Sequence, residues 1–207
     1  PGYPTCNDRY DPKKEYDGDV NHYLVRGPKE APDYVFHEQG HGFNFVKFGG
    51  EMESTVNLLH VAVLNQQFGQ SLDEAFAGSR NMQNNPHRTL DHTAVTWMTS
   101  DNFIDPKPME AAEKAYQLAG HAKFVDIVRL FGWQPLKDFW HSWNEDFEAG
   151  RPWSKHGTDS DVLSLRLSQK AGVDLTPLLH FWGTPPRDAK ALKSAAAAAR
   201  LPPSTKI

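Results

Sequence analysis

His37-Glu38-Gln39-Gly40-His41 sets two imidazoles four residues apart with a carboxylate between them. On a helix, residues at that spacing share one face with Cβ atoms roughly 5–6 Å apart, close enough to hold one metal ion. Glu38 then stands where a general base is needed to take a proton from a water activated at the metal. A catalytic site of this kind needs a third protein ligand and an open fourth position. Glu53, twelve residues after His41, is the candidate. Glu51 competes from two positions earlier but falls on a different helical face. Asn57 decides for Glu53: one turn further on, it is suited to accept the free ring N–H of a ligand histidine and so fix its tautomer. Against these readings stand two surface histidines, solvated carboxylates and a surface amide.

These residues need two helices and a reversal. Pro32 suits the start of the first helix, where its missing N–H costs nothing. Gly49-Gly50 is a plausible stop for it. Residues 51–68 read as a second helix with Val56, Leu59, Val63 and Leu64 as its apolar stripe. Packed antiparallel, that helix returns Glu53 to the histidines.

Upstream, residues 1–19 lack periodicity and read as an extended entry. Asp17 and Asp19 around Gly18 lack the rest of a calcium loop. Residues 21–26 predict a short strand, suited to hold substrate backbone by strand addition.

Downstream, the spacing predicts helices over 72–77, 90–99, 108–130 (interrupted by Gly120), 133–148, a stretch ending near 171, and 176–182. Residues 78–89, with Asn84-Asn85-Pro86, read as a loop. Phe139, Trp140, Trp143 and Phe147 form a stripe that reads as core rather than as a carbohydrate platform. Thr158 or Asp159 caps the helix that follows. Pro185-Pro186 breaks the chain, and the alanine-rich 188–200 segment predicts a solvated terminal helix or a frayed end. Trp97 and Trp153 lie near segment ends, where burial is the safer reading than stacking on a sugar.

The whole reads as one mainly α domain with a small β portion: entry 1–30, metal-binding helix pair 31–68, helical subdomain 69–183, and C-terminal tail or helix 184–207. At 207 residues the chain can bury one good core. A net charge of −4 with interspersed signs offers no basic stripe for nucleic acid. No apolar run approaches the roughly 20 residues needed for membrane insertion. Cys6, the single cysteine, excludes an intramolecular disulfide framework. Without an initiator Met or signal peptide, the expectation is a chain that begins inside a longer precursor or is an excised domain. His22, His60, His87, His141, His156 and His180 show no ligand spacing.

His-Glu-x-Gly-His followed by Glu53-Ser54-Thr55-Val56-Asn57 resembles the enhancin-type metallopeptidases (peptidase family M-sixty), gluzincins that include mucin-degrading enzymes. Tyr116-Gln117-Leu118 leads through Asp126-Ile127-Val128 to Leu130-Phe131-Gly132-Trp133, similar to that family's helix and Phe-Gly-Trp block. The segments 161–168, 172–175 and 181–183 resemble its closing helices, so the likeness runs from about residue 34 to 183. It implies a gluzincin-like catalytic domain with one zinc ion per chain on His37, His41 and Glu53, and Glu38 as base. It also implies a secreted or cell-surface endopeptidase that cuts glycoproteins, often beside O-linked sugars. Asn44 departs from the family, which often carries Gln there.

The oxyanion of peptide hydrolysis needs a donor, for which His92, Tyr116 and His121 are candidates. Two other readings fit the residues: a zinc peptidase acting on non-glycosylated peptides, and a non-catalytic glycoprotein-binding module. Two histidines and a carboxylate suit zinc but also other first-row metals.

Overall fold

The computed structural model describes residues 33–43, 51, 53–79, 89–105, 107, 118–151 and 159–207. The expected strand at 21–26, the acidic pair at 17 and 19, the Gly49-Gly50 stop, Asn44, Tyr116 and Trp153 lie outside these residues. The described chain is a sequence of helices: α1 (Asp33–Phe43), α2 (Leu58–Gln66), α3 (Leu72–Gly78), α4 (Leu90–Met98), α5 (Asp101–Ile104), α6 (Leu118–Phe131), α7 (Gln134–Glu148), α8 (Ser160–Ala171), α9 (Thr176–Phe181) and α10 (Ala189–Ala198). The fold is mainly α, as expected. Of the expected β portion, the described residues contain a single isolated parallel bridge between Asp174 and Pro203.

The helix predicted over 51–68 begins later than its periodicity suggested. Glu53 and Ser54 form a turn, Thr55–Asn57 is one turn of 3-10 helix, and α2 starts at Leu58. A 3-10 turn winds more tightly than an α-helix and rotates the face that follows it. The stripe is shifted accordingly. Val56, Leu58, Val61 and Leu64 are buried, while Leu59 and Val63 are half-buried and line an open groove with Trp133 and Trp140.

Local signals set most other boundaries. Ser71 and Glu74 make a reciprocal capping box on α3, Thr89 caps α4, and Asp159 caps α8 by accepting from Asp161 N and Val162 N. Each such cap stabilises its helix by about 1 kcal/mol. Gly172 closes α8 in the left-handed conformation at φ 71°.

The hub is α6, which contacts α2, α3, α4, α7 and the 3-10 turn. Its residues from Gly120 to Val128 are all buried, apolar and polar alike. A helix enclosed on every side must satisfy its polar side chains inside the protein.

On α7, Phe139 and Trp143 are buried as expected and Trp140 is half-buried, but Phe147 is 66 % exposed. The core stops one turn short of it. There Arg166 lays its guanidinium 3.8 Å over the Trp143 ring and pairs with Asp146 at 2.8 Å, so an ion pair closes this end of the interface. The C-terminal helix α10 docks rather than frays. Asp188 caps it and Leu192 and Ala196 are buried, with α8 its contacting helix. Trp97 is buried, with its indole N–H donating to the Phe181 carbonyl. No described helix is long and apolar enough to cross a membrane.

Candidate metal centre

Gly40 explains how α1 reaches the 3-10 turn. A Cβ at this position would lie 2.4 Å from the Val56 carbonyl oxygen and 2.8 Å from the Val56 Cβ. Only a residue without a side chain lets the two backbones approach so closely. The approach sets the histidines of α1 over the turn that carries Glu53. Val35, Phe36 and Val56 bury beside it, and Phe36 stacks on the His60 ring at 4.5 Å.

Three side-chain atoms then converge. His37 Nε2 lies 3.1 Å from Glu53 Oε2, His41 Nε2 lies 3.5 Å from the same oxygen, and the two Nε2 atoms are 3.3 Å apart. The rings of His37 and His41 stand nearly perpendicular at 86°. A tetrahedral ion with bonds of about 2.0–2.1 Å has ligand atoms about 3.3–3.4 Å apart. The three atoms therefore form a near-regular face of such a tetrahedron, and the group can hold a metal ion. His37 closes the inner side, with its side chain 5 % exposed, whereas Glu53 and His41 keep 28 % and 16 %.

The hydrogen bonds orient the amide and the His37 ring. The Asn57 side-chain N–H donates to the Glu53 carbonyl at 3.2 Å, which fixes the amide's orientation and makes Oδ1 the acceptor. His37 Nδ1–H donates to that oxygen at 2.8 Å. In the neutral tautomer that this bond selects, His37 Nε2 presents a lone pair on the side of the Glu53 carboxylate, 3.1 Å away. In that form the three atoms are arranged as a metal ion's ligands would be, with a positive charge able to sit between them. The Asn57 amide oxygen thus sits against the His37 ring nitrogen.

Glu38 follows His37 on α1 and is half-buried, and its carboxylate makes no hydrogen bond to a described residue. The oxyanion candidates fall elsewhere. His92 is exposed on α4, with its backbone N–H capped by Thr89. His121 is 1 % exposed on α6, with Nε2 3.3 Å from Ser79 Oγ and its ring 5.0 Å from Phe76. Burial pulls the His121 imidazole down to about 3, so it is neutral at physiological pH. None of the described contacts of either histidine reaches the donor triangle.

The sequence reading set Glu51 aside as a competitor ligand without seeing its role. Glu51 is fully buried and paired with the fully buried Lys123 of α6. Its other oxygen accepts from Thr55 Oγ1 at 3.1 Å, and Lys123 also donates to the Gly120 carbonyl at 3.1 Å. Burial pulls the Lys123 ammonium down to about 7, and the adjoining carboxylate opposes that shift by favouring the charged form. A lysine 72 residues away in the chain, on a different helix, carries no sequence signal that marks it for Glu51.

Compared with protein-family models, curated proteins and solved structures, the chain matches none.

Proposed function

We propose that the protein is a zinc-dependent endopeptidase of the enhancin-like gluzincin type, acting on glycoproteins of the mucin-type O-glycosylated class. The observation that carries the chemistry is the near-regular triangle of His37 Nε2, His41 Nε2 and Glu53 Oε2, with Asn57 fixing the His37 tautomer. The substrate class and a secreted or cell-surface setting rest on the resemblance of the motif and the later helical blocks.

His37, His41 and Glu53 would hold the zinc, which when bound supplies a Lewis acid beside the scissile carbonyl and lowers the pKa of water. Glu38 removes a proton from the attacking water as its oxygen bonds to the carbonyl carbon. The carbon–nitrogen bond then breaks, and Glu38 delivers the proton to the departing amine. Asn57 keeps the His37 lone pair aimed at the centre throughout. One turn of helix links Glu38 to both histidines, so base and ligands move as a unit.

The test is mass-spectrometric cleavage mapping of a mucin-type O-glycoprotein and its enzymatically deglycosylated form, with zinc content measured on the same samples. Wild type should cleave at one zinc per chain. Glu38→Gln should keep the zinc and lose about 10²–10⁴-fold in rate. Cleavage of the deglycosylated form alone would move the proposal to non-glycosylated peptides. Glycoprotein binding without turnover, unchanged in Glu38→Gln, would make the domain a binding module.

A further inference from the structure

Glu51 and Glu53 lie two residues apart and meet opposite environments. Glu53 faces the histidines, partly exposed, while Glu51 is fully buried against Lys123. The turn at Glu53 and Ser54 is held to Glu51, each of whose acceptor oxygens has a partner. One side-chain oxygen takes Lys123 and the other takes Thr55 Oγ1, while the Glu51 carbonyl accepts from Ser54 N at 3.2 Å and Thr55 N at 3.1 Å. Downstream, the Asn57 side chain holds the Glu53 carbonyl. Glu53 is thus bracketed: α6 fixes the turn on one side through Lys123, and Asn57 ties it to His37 on the other.

Two charges removed wholly from water gain little for stability compared with a well-packed apolar pair. What a charged pair adds is direction, because it fixes where one backbone segment sits against another. Here that segment carries the third donor of the triangle. A displacement of the turn by about 1 Å would open the 3.1 and 3.5 Å separations beyond what one tetrahedral ion spans.

We infer that Lys123, through its buried pair with Glu51 and the Thr55 hydrogen bond, is a positioning residue that fixes Glu53 at the distance from His37 and His41 needed to close a metal site. This rests on the reading of His37, His41 and Glu53 as metal ligands. Lys123 touches no substrate in this role; it acts from α6 through Glu51.

Titration of the intact chain with Co²⁺, followed by its visible absorption, tests the inference, with urea denaturation run on each metal-free protein. Lys123→Met strands the Glu51 carboxylate and should lose both stability and Co²⁺ affinity. The double variant Glu51→Gln/Lys123→Met removes both charges and should regain most of the denaturation midpoint. Its Co²⁺ affinity should still be down at least about tenfold, with a weaker visible band as the ligand geometry opens. Thr55→Val leaves the ion pair in place and should shift affinity in the same direction by a smaller factor.

A double variant that folds and binds Co²⁺ with the affinity and spectrum of wild type would reduce Lys123 to a fold element and overturn the inference. So would Thr55→Val and Lys123→Met proteins that both bind as wild type does. Wild type that takes up no Co²⁺ would instead overturn the metal site itself, an outcome distinct from equal binding by all four proteins.

Discussion

Two clusters of polar side chains, one on α1 and the turn before α2 and one joining α6 to α4 and α9, are built on opposite principles. In the second, donors meet acceptors: the Trp182 indole N–H donates to Asp126 Oδ2 at 2.9 Å, and Arg129 donates to Asp126 Oδ1 and reaches Asp91 at 2.7 Å. Each group satisfies the next, and the cluster is complete with the atoms it has. In the first, His37 Nε2, His41 Nε2 and Glu53 Oε2 converge on one point, with His37 Nε2 3.1 Å from Glu53 Oε2 and 3.3 Å from His41 Nε2. A cluster that is complementary within itself belongs to the fold. A cluster of ligand-type atoms converging at such distances can hold a metal ion.

That contrast predicts opposite outcomes for equivalent damage, and the largest effect is on the metal site. His41→Ala should lower Zn²⁺ or Co²⁺ affinity by more than the about 100-fold typical of losing a group behind a ligand. The metal-free protein should be as stable as wild type within about 0.5 kcal/mol, since a crowded acceptor has gone. Trp182→Phe should do the reverse, leaving metal affinity unchanged while costing about 1–3 kcal/mol, because Asp126 loses a buried donor. Competitive metal titration and urea denaturation read both quantities. If His41→Ala destabilised the metal-free fold as much as Trp182→Phe does, the triangle would be an ordinary hydrogen-bonded cluster.

A smaller effect separates the approach of the backbones from the ligands themselves. Gly40→Ala adds one methyl group where the Val56 carbonyl already stands 2.4 Å away. The helix or the turn must shift, at a cost of about 1–3 kcal/mol. The shift should also weaken metal binding by about tenfold or more, although no ligand has changed. Unchanged affinity would mean that α1 and the turn can separate without moving Glu53 from the histidines.

How much of this was legible in the sequence follows the same division. That the histidines, Glu53 and Asn57 come together could be read because it depends on spacings of four within one helical stretch or its return. Caps at Asp159 and the 72–77 helix were legible for the same local reason. The start of α2 was not, since nothing in Thr55–Asn57 distinguishes a 3-10 turn from the first turn of an α-helix, and that turn moved the apolar stripe. Phe147 was misread because its burial depended on where Arg166, nineteen residues on, would close the interface. The Glu51–Lys123 pair was invisible for the most basic reason: complementary charges far apart in the chain identify each other only after the fold brings them together.

His121 belongs to neither kind of cluster, and it makes the contrast quantitative. One ring nitrogen meets Ser79 Oγ, while Nδ1 is buried with no hydrogen-bond partner among the described residues. With no acceptor or ligand to receive a second proton's charge, burial holds the ring neutral and its pKa at about 3, against an ordinary 6.5. Above pH 6.5 both folded and unfolded chains carry the neutral ring, and His121 adds no pH dependence. Below it the unfolded chain binds a proton the fold refuses, so stability falls as pH falls toward 3. The slope from this one group is at most about 1.4 kcal/mol per pH unit. His121→Phe, which keeps an aromatic ring against Phe76, should match wild type near pH 8 within about 1 kcal/mol and then lose stability less steeply between pH 6 and 4. Urea denaturation of both proteins across that range gives the difference directly, with the other titrating groups common to the two. Parallel curves would mean that the fold opens to let His121 take its proton, and that its burial is not enforced by the packing of α3 on α6.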